Sequence, residues 1–195
     1  MCYPHVYMDD LLARLVTDLG GSFVDLVQMH QDLVFGVALR VVGDGASAED
    51  VAQEAFARAY QALKSYPAER ISELKPRPWL AQIALNLARN HVRSRRLHTE
   101  LDDVANRVPS VEDGPVRLAE RREDRRMWAR LLAGLPDRYR LAVALRHVEG
   151  LSYEDLSVTL SRPVGSVKSD VHRGVALLRA AYDGEQRVAA QKEAV

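Results

Sequence analysis

The sequence predicts an all-α fold of two small helical domains joined by a flexible acidic linker, the second domain built on a helix-turn-helix. Three observations carry this expectation. Apolar residues recur at helical spacing through most of the chain, and no stretch shows a convincing period of two. Residues 98–115 hold two prolines and five acidic residues with little apolar periodicity, which marks a domain boundary. Net charge is zero over the 195 residues but alternates in blocks: −5 over residues 1–64, +5 over 65–98, −3 over 99–123 and +3 over 124–195.

The elements follow in order. Residues 1–21 carry no usable signal and stand as an N-terminal extension. Ser22 is placed to cap a helix running to about Val42, with Phe23, Leu26, Val27, Val34, Ala38 and Val41 suiting a buried stripe. Gly43-Asp44-Gly45 ends it. Ser47 with Asp50 three residues on has the pattern of a capping box and predicts a helix from Ala48 to about Lys64. Its inward positions are Val51, Ala52, Ala55, Phe56, Ala59, Tyr60 and Leu63; its outer face carries Asp50, Gln53, Glu54, Ala57 and Gln61. Pro67 stops this helix, and Ser65–Lys75 reads as a connection. Pro78 suits the first turn of a third helix to about Ser94, with Trp79, Leu80, Ile83, Leu87 and Val92 apolar and a basic end at Arg89, Arg93, Arg95 and Arg96.

Beyond the linker, a charged helix is expected from about Val116 to Ala133, broken by Gly134-Leu135-Pro136. Asp137–Glu149 forms the next, ended by Gly150. Ser152 and Asp155 make a second capping-box start for a short helix to about Leu160. Ser161-Arg162-Pro163 turns the chain into a last helix from about Val164 to Tyr182, followed by a tail, 183–195.

Composition excludes several classes. No run approaches the ~18 uninterrupted apolar residues of a membrane span, and Met1–Asp10 lacks the basic start and apolar run of a signal peptide, so a cytoplasmic protein without membrane insertion is expected. The one cysteine, Cys2, precludes an internal disulfide; Cys2, His5 and His30 do not make a metal set, and no metal or other cofactor is expected. There is no phosphate-cradling glycine loop and no nucleophile–base pair, so no catalytic residues are assigned.

Two short helices joined by a tight turn, the second long and amphipathic, have the helix-turn-helix layout. In the last helix Val164, Val167, Val171, Val175 and Leu178 recur at helical spacing and face inward; Ser166, Lys168, Ser169, His172 and Arg173 project near its N-terminal half, where base edges and phosphates are met. The block Leu151–Arg179 resembles the region that reads the −35 promoter element in bacterial sigma factors of the extracytoplasmic-function (ECF) group. Those factors read Leu-Ser-Tyr-Glu-Glu-Ile-Ala, a short turn, then Pro-Val-Gly-Thr-Val-Lys-Ser-Arg-Leu-His-Arg-Ala. Asp170 stands where the family usually carries arginine. On or beside the DNA face its carboxylate either repels phosphate or accepts from a cytosine amino group. Gly174 costs helix propensity, about 1 kcal/mol relative to alanine.

Ala48–Phe56, continuing to Tyr60, is by spacing an amphipathic helix with a solvated acidic outer face. It is similar to the sigma segment that grips the clamp coiled coil of RNA polymerase, and the resemblance implies core-polymerase contacts at Asp50, Gln53 and Glu54. Pro78–Asn86, with Arg89, Asn90 and Arg93–Arg96, resembles the strand-opening segment of the family. That implies −10 DNA contacts at Asn86, Arg89, Asn90, Arg93, Arg95 and Arg96, Asn86 serving the flipped base, since unstacked bases need amide hydrogen bonds and phosphates need arginine. Trp79 is read as core and His91 has no assigned role.

The resemblance divides the chain into a region 2-like domain over 22–97, the linker 98–115 and a region 4-like domain over 116–182. It implies a sigma factor that joins core RNA polymerase, recognises −35 and −10 promoter DNA, and is held by an anti-sigma partner. Two basic segments on a linker make two weak DNA contacts that become selective when polymerase fixes their spacing. Two alternatives stay open: a stand-alone helix-turn-helix regulator, and a degenerate sigma-like protein acting through protein contacts alone.

Overall fold

In the computed structural model the backbone of residues 5–98 and 127–193 is described, with side chains over 10–95 and 127–187. The expected linker from residue 99 onward, the expected helix up to residue 126, the Arg96 side chain and Cys2 lie outside the described residues. Every regular element among the described residues is helical. They fall in two compact units, within Met1–Ala105 and Asn106–Val195.

The first unit contains α1 (His5–Thr17), α2 (Leu19–Val42), α3 (Gly45–Ser65), α4 (Ala68–Ser72) and α5 (Pro76–His98). α2 is the hub, packing on α1, α3 and α5, and α3 also packs on α5. The core joins Leu26, Val34, Val37 and Ala38 of α2 to Val51, Ala55, Ala59 and Leu63 of α3 and Leu80, Ala81, Ala84, Leu85 and Ala88 of α5. Alanines on the facing stripes let these helices approach closely. The large aliphatics contribute about 1.5–3 kcal/mol each when fully buried.

Several boundaries differ from expectation, each for a local reason. The N-terminal extension is not a bystander: Leu11, Leu12 and Leu15 of α1 are buried, and α1 packs on α2 and α4. Asp18, not Ser22, caps α2; its carboxylate accepts from the backbone N–H of Gly21 at 2.9 Å, and Ser22 lies inside the helix, buried. Asp44 rather than Ser47 caps α3, accepting from the Ser47 N–H at 2.9 Å, so the helix starts three residues early. The connection after Ser65 contains the short α4, anchored by buried Ile71. α5 begins at Pro76 and runs to His98, longer at both ends than Pro78–Ser94. Gly43, at φ 85°, ends α2 as expected.

The second unit contains α6 (residues 127–133), α7 (Asp137–His147), α8 (Tyr153–Leu160) and α9 (Val164–Glu193). α9 packs on α7 and α8. Leu131, Leu135, Ala142–Leu145, Leu151, Leu156, Leu160, Val167 and Val171 form the core. α7 stops at His147, two residues short of expectation. α9 continues eleven residues beyond the expected Tyr182, through Gly184, because alanines supply enough helix propensity to carry one glycine. Gly174 is buried against α7: a Cβ there would lie 2.5 Å from Cγ2 of Val143 and 3.3 Å from the carbonyl oxygen of Tyr139. Its missing side chain is what lets the two helices touch, which corrects its reading as a mere propensity cost.

Candidate nucleic-acid interface

The helix-turn-helix is assembled by local chemistry. Ser152 Oγ accepts from the Asp155 N–H at 3.0 Å, and the Asp155 carboxylate accepts from the Ser152 N–H at 3.4 Å, so the expected capping box is present and starts α8. Ser161 ends α8 in the left-handed region (φ 53°, ψ 48°), an uncommon place for a residue with a side chain, and this reverses the chain into α9. The Ser157 hydroxyl donates to the Arg162 carbonyl at 2.6 Å across the turn.

On α9, Val167 and Val171 are buried while Val164, Val175 and Leu178 are half-buried, as the stripe predicts. Lys168, Ser169, His172 and Arg173 are exposed and Ser166 is half-exposed, so the five expected DNA-facing residues share the outer surface. Two of them are already engaged: the Ser169 hydroxyl donates to Gly165 O at 3.0 Å, and Lys168 Nζ lies 5.5 Å from the centre of the Tyr153 ring. Arg146 covers the same ring at 4.9 Å and donates to Leu151 O at 2.9 Å. The Tyr153 ring thus takes a cation from α9 and another, Arg146, from α7, a role that sequence reading did not assign to it.

Asp170 corrects an expectation. It is not on or beside the DNA face; its side chain has no exposure. Oδ1 accepts from Nε of Arg138 at 2.8 Å, and Oδ2 accepts from Nη1 of Arg162. Burial pushes its pKa up, but the hydrogen bonds and charges of the two guanidiniums outweigh burial and hold it below the usual carboxylate range. A carboxylate occupied on both oxygens is available neither to cytosine nor to repel a nearby phosphate.

In the first unit the outer face of α3 is as expected: Asp50, Gln53, Glu54, Ala57 and Gln61 are exposed. Glu54 pairs with Arg58 one turn on, at 2.5 Å. Beside it a shallow cleft is lined by Phe23, Phe56, Tyr60 and Gln61, with Phe23 and Tyr60 edge to face at 5.0 Å. On α5, Asn86, Arg89, Asn90 and Arg93 are exposed at helical spacing and form one polar surface. Arg95 is exposed but turned to a structural task, pairing at 3.2 Å with Asp44, the cap of α3. The Ser47 backbone N–H, with help from Arg95, holds the Asp44 carboxyl below its usual range. Trp79 is half-buried against Tyr66 (ring centres 6.2 Å apart), and His91 is half-buried.

His30 is buried, its Nε2 without a hydrogen-bond partner; burial, with the Arg77 charge, pushes its pKa down to about 4, so it is neutral at pH 7. Among the described residues no three His, Cys, Asp or Glu side chains are grouped to hold a metal ion, and no helix is long and apolar enough to cross a membrane.

Comparison with known proteins follows the same division. Residues 26–98 match the family described as Sigma-70 region 2, and residues 125–178 match Sigma-70, region 4. The chain is 36% identical over 163 residues to the ECF RNA polymerase sigma factor SigE of Mycolicibacterium smegmatis, covering 81% of this chain and 60% of that one. It is 34% identical to the RNA polymerase sigma-H factor of Pseudomonas aeruginosa, covering 78% and 81%, and 33% identical to the ECF factor SigW of Bacillus subtilis, covering 81% and 87%. In fold it is similar to the sigma factor RpoE of Bartonella quintana, solved with the anti-sigma factor NepR (TM-score 0.67, 23% identity, 83% of this chain and 96% of that one). It is also similar to CnrH, solved with the cytosolic domain of CnrY (TM-score 0.61, 23% identity, 90% and 97%).

Proposed function

The chain belongs to the sigma-70 family, in its ECF group, and is a sigma factor of transcription initiation; from that premise we propose how its surfaces divide the work. The α3 face of Asp50, Gln53 and Glu54 docks on core RNA polymerase, with the adjoining aromatic cleft extending the contact. Acidic side chains there meet a basic partner and set the orientation of docking. The α5 surface of Asn86, Arg89, Asn90 and Arg93 receives the −10 element as single strand, the amides reading an extruded base and the arginines neutralising phosphates. Arg96 is given the same −10 role from the sequence alone; Arg95 contributes charge while tethered to Asp44. On α9, Ser166, Lys168, Ser169, His172 and Arg173 read the −35 duplex.

One observation carries the reading: a capped α8, a left-handed turn and a polar α9 surface laid over a buried stripe. The protein lowers no chemical barrier itself, and we assign it no catalytic group, metal or cofactor. It works in the cytoplasm, where polymerase and chromosome are. An anti-sigma partner is included by analogy with RpoE of Bartonella quintana, whose fold it shares and which was solved with the anti-sigma factor NepR. The domain limits proposed are 22–97 for the polymerase and −10 functions and 116–182 for the −35 function, with α1 added to the first. An exposed acid in α9 would favour the degenerate alternative, and Asp170 is instead in the core.

Run-off transcription with bacterial core polymerase tests the assignment. Transcripts are expected only when both proteins are present. Tight duplex binding by the protein alone would establish the stand-alone regulator instead, and polymerase binding without initiation would establish the degenerate one.

A further inference from the structure

Asp170 sits between exposed Ser169 and exposed His172 at close sequence range, yet both its oxygens are taken inside the fold. Arg138 comes from the first turn of α7 and places Nε and Nη2 each 2.8 Å from Oδ1. Arg162 comes from the turn between α8 and α9 and donates to Oδ2. The two guanidiniums therefore flank the N-terminal half of the helix that meets DNA, while their own side chains keep 55% and 30% exposure. Unrestrained arginines at such a place grip phosphates of any sequence, because a backbone contact carries charge and no base identity. For either to leave toward a phosphate, a carboxylate without solvent contact must give up one of its two counter-charges and the hydrogen bonds on one oxygen. That penalty exceeds what a surface ion pair returns.

We propose that Asp170 is a specificity-determining positioning residue: it keeps Arg138 and Arg162 folded against the helix-turn-helix and off the phosphates, which suppresses sequence-independent duplex binding and leaves discrimination to the exposed residues of α9. The inference rests on the reading of α9 as the −35 helix. It also explains why a carboxylate is tolerated in a DNA-reading helix: the three side chains carry one net positive charge where the two arginines alone carry two.

The test uses the full chain bound to bacterial core RNA polymerase and a pool of duplexes randomised across the −35 position, with sequencing of the retained DNA. The wild type enriches a motif. Asp170→Asn flattens that motif, while affinity for an unselected duplex rises several-fold and the log–log salt slope steepens by about two, one for each arginine released. Arg138→Gln, which leaves Arg162 on the carboxylate, changes neither unselected affinity nor slope, and removes about half of the gain in the Asp170→Asn background, the share of Arg162 remaining. A purely structural role lowers the melting temperature of Asp170→Asn without moving motif or slope, and that result overturns the proposal. So does a loss of about one unit of slope in Arg138→Gln, the mark of a phosphate contact already made; this arm decides alone if Asp170→Asn does not fold. A wild-type complex that enriches no motif refutes the promoter-reading assignment instead.

Discussion

Replacing Gly174 by alanine sets two opposed terms against each other, and their sizes decide the sign. Alanine in a helix interior is favoured over glycine by about 1 kcal/mol. At this position the new methyl would stand 2.5 Å from Val143 Cγ2, 3.2 Å from Tyr139 Cβ and 3.3 Å from Tyr139 O, against an optimum of about 3.5–4.0 Å for carbon pairs. Val143 is buried and β-branched, so it has one comfortable rotamer in a helix and nowhere to turn. Relief must come from moving α9 off α7, which overpacking series place at about 1–3 kcal/mol, with further loss as the neighbouring contacts open. The net expectation is a destabilisation of about 1–2 kcal/mol confined to the second unit. Native-state hydrogen exchange is the suitable assay, because it reads α7 and α9 amides separately from those of α2, α3 and α5. Faster exchange in α7 and α9 with unchanged exchange in the first unit is the expected pattern. Equal or slower exchange in α7 and α9 would refute the close-approach argument and leave propensity as the governing term.

Three further outcomes are expected. Protonating His30 means charging a buried ring, so its folded pKa of about 4 lies below the ordinary 6.5 and the unfolded chain binds the proton first; stability is complete above about pH 6.5 and falls toward pH 4, by up to about 1.4 kcal/mol per pH unit. Denaturant titrations of His30→Gln should be shallower by about that slope across the window, and an unchanged slope would place the proton uptake elsewhere. Reversing the α3 face with Asp50→Arg should weaken core-polymerase binding at least about tenfold, about 1.4 kcal/mol, while circular dichroism is unchanged, since Asp50 is exposed; undiminished affinity would remove that face from the interface. Asn86→Ala should lower promoter melting, read by permanganate reactivity of the −10 strand, without weakening closed-duplex binding. A matched loss of both would show that Asn86 does not act on the opened strand.

Much of the candidate site was legible because its signals are local or periodic. Ser152 and Asp155 are three residues apart, and their reciprocal bonds depend on little else. Asp50, Gln53 and Glu54 oppose Val51, Ala55 and Ala59 by helical geometry alone. What escaped depended on distance or on competing cues. Gly20-Gly21 masks Asp18, whose cap uses the Gly21 amide. α1 reveals itself only through Leu11, Leu12 and Leu15, and their burial requires α2 and α4. Asp170 lies three residues after Val167 and four before Gly174, so its register points inward while its charge points outward. Arg138, 32 residues away, settles the contest. The partner of Arg95 escaped in the same way: Asp44, with which it pairs, lies 51 residues earlier.

The triad of Arg138, Arg162 and buried Asp170 also bears on how portable α9 is. Grafting α9 alone into another helix-turn-helix scaffold would carry Asp170 into a host that need not offer an arginine at the start of its second-last long helix and another in its turn. The transplanted carboxylate would then be desolvated without counter-charge, and the chimera would fail by misfolding before any question of promoter choice arose. The smallest exchangeable cassette is therefore Asp137–Gly174, which keeps Arg138, Arg162 and Asp170 together and includes the glycine that lets α9 pack on α7. Conversely, introducing the family's usual arginine at position 170 sets three guanidiniums around one enclosed point, so the swap succeeds only if Arg138 and Arg162 are changed with it. On the proposed reading of α9, base preference passes between scaffolds only as a block.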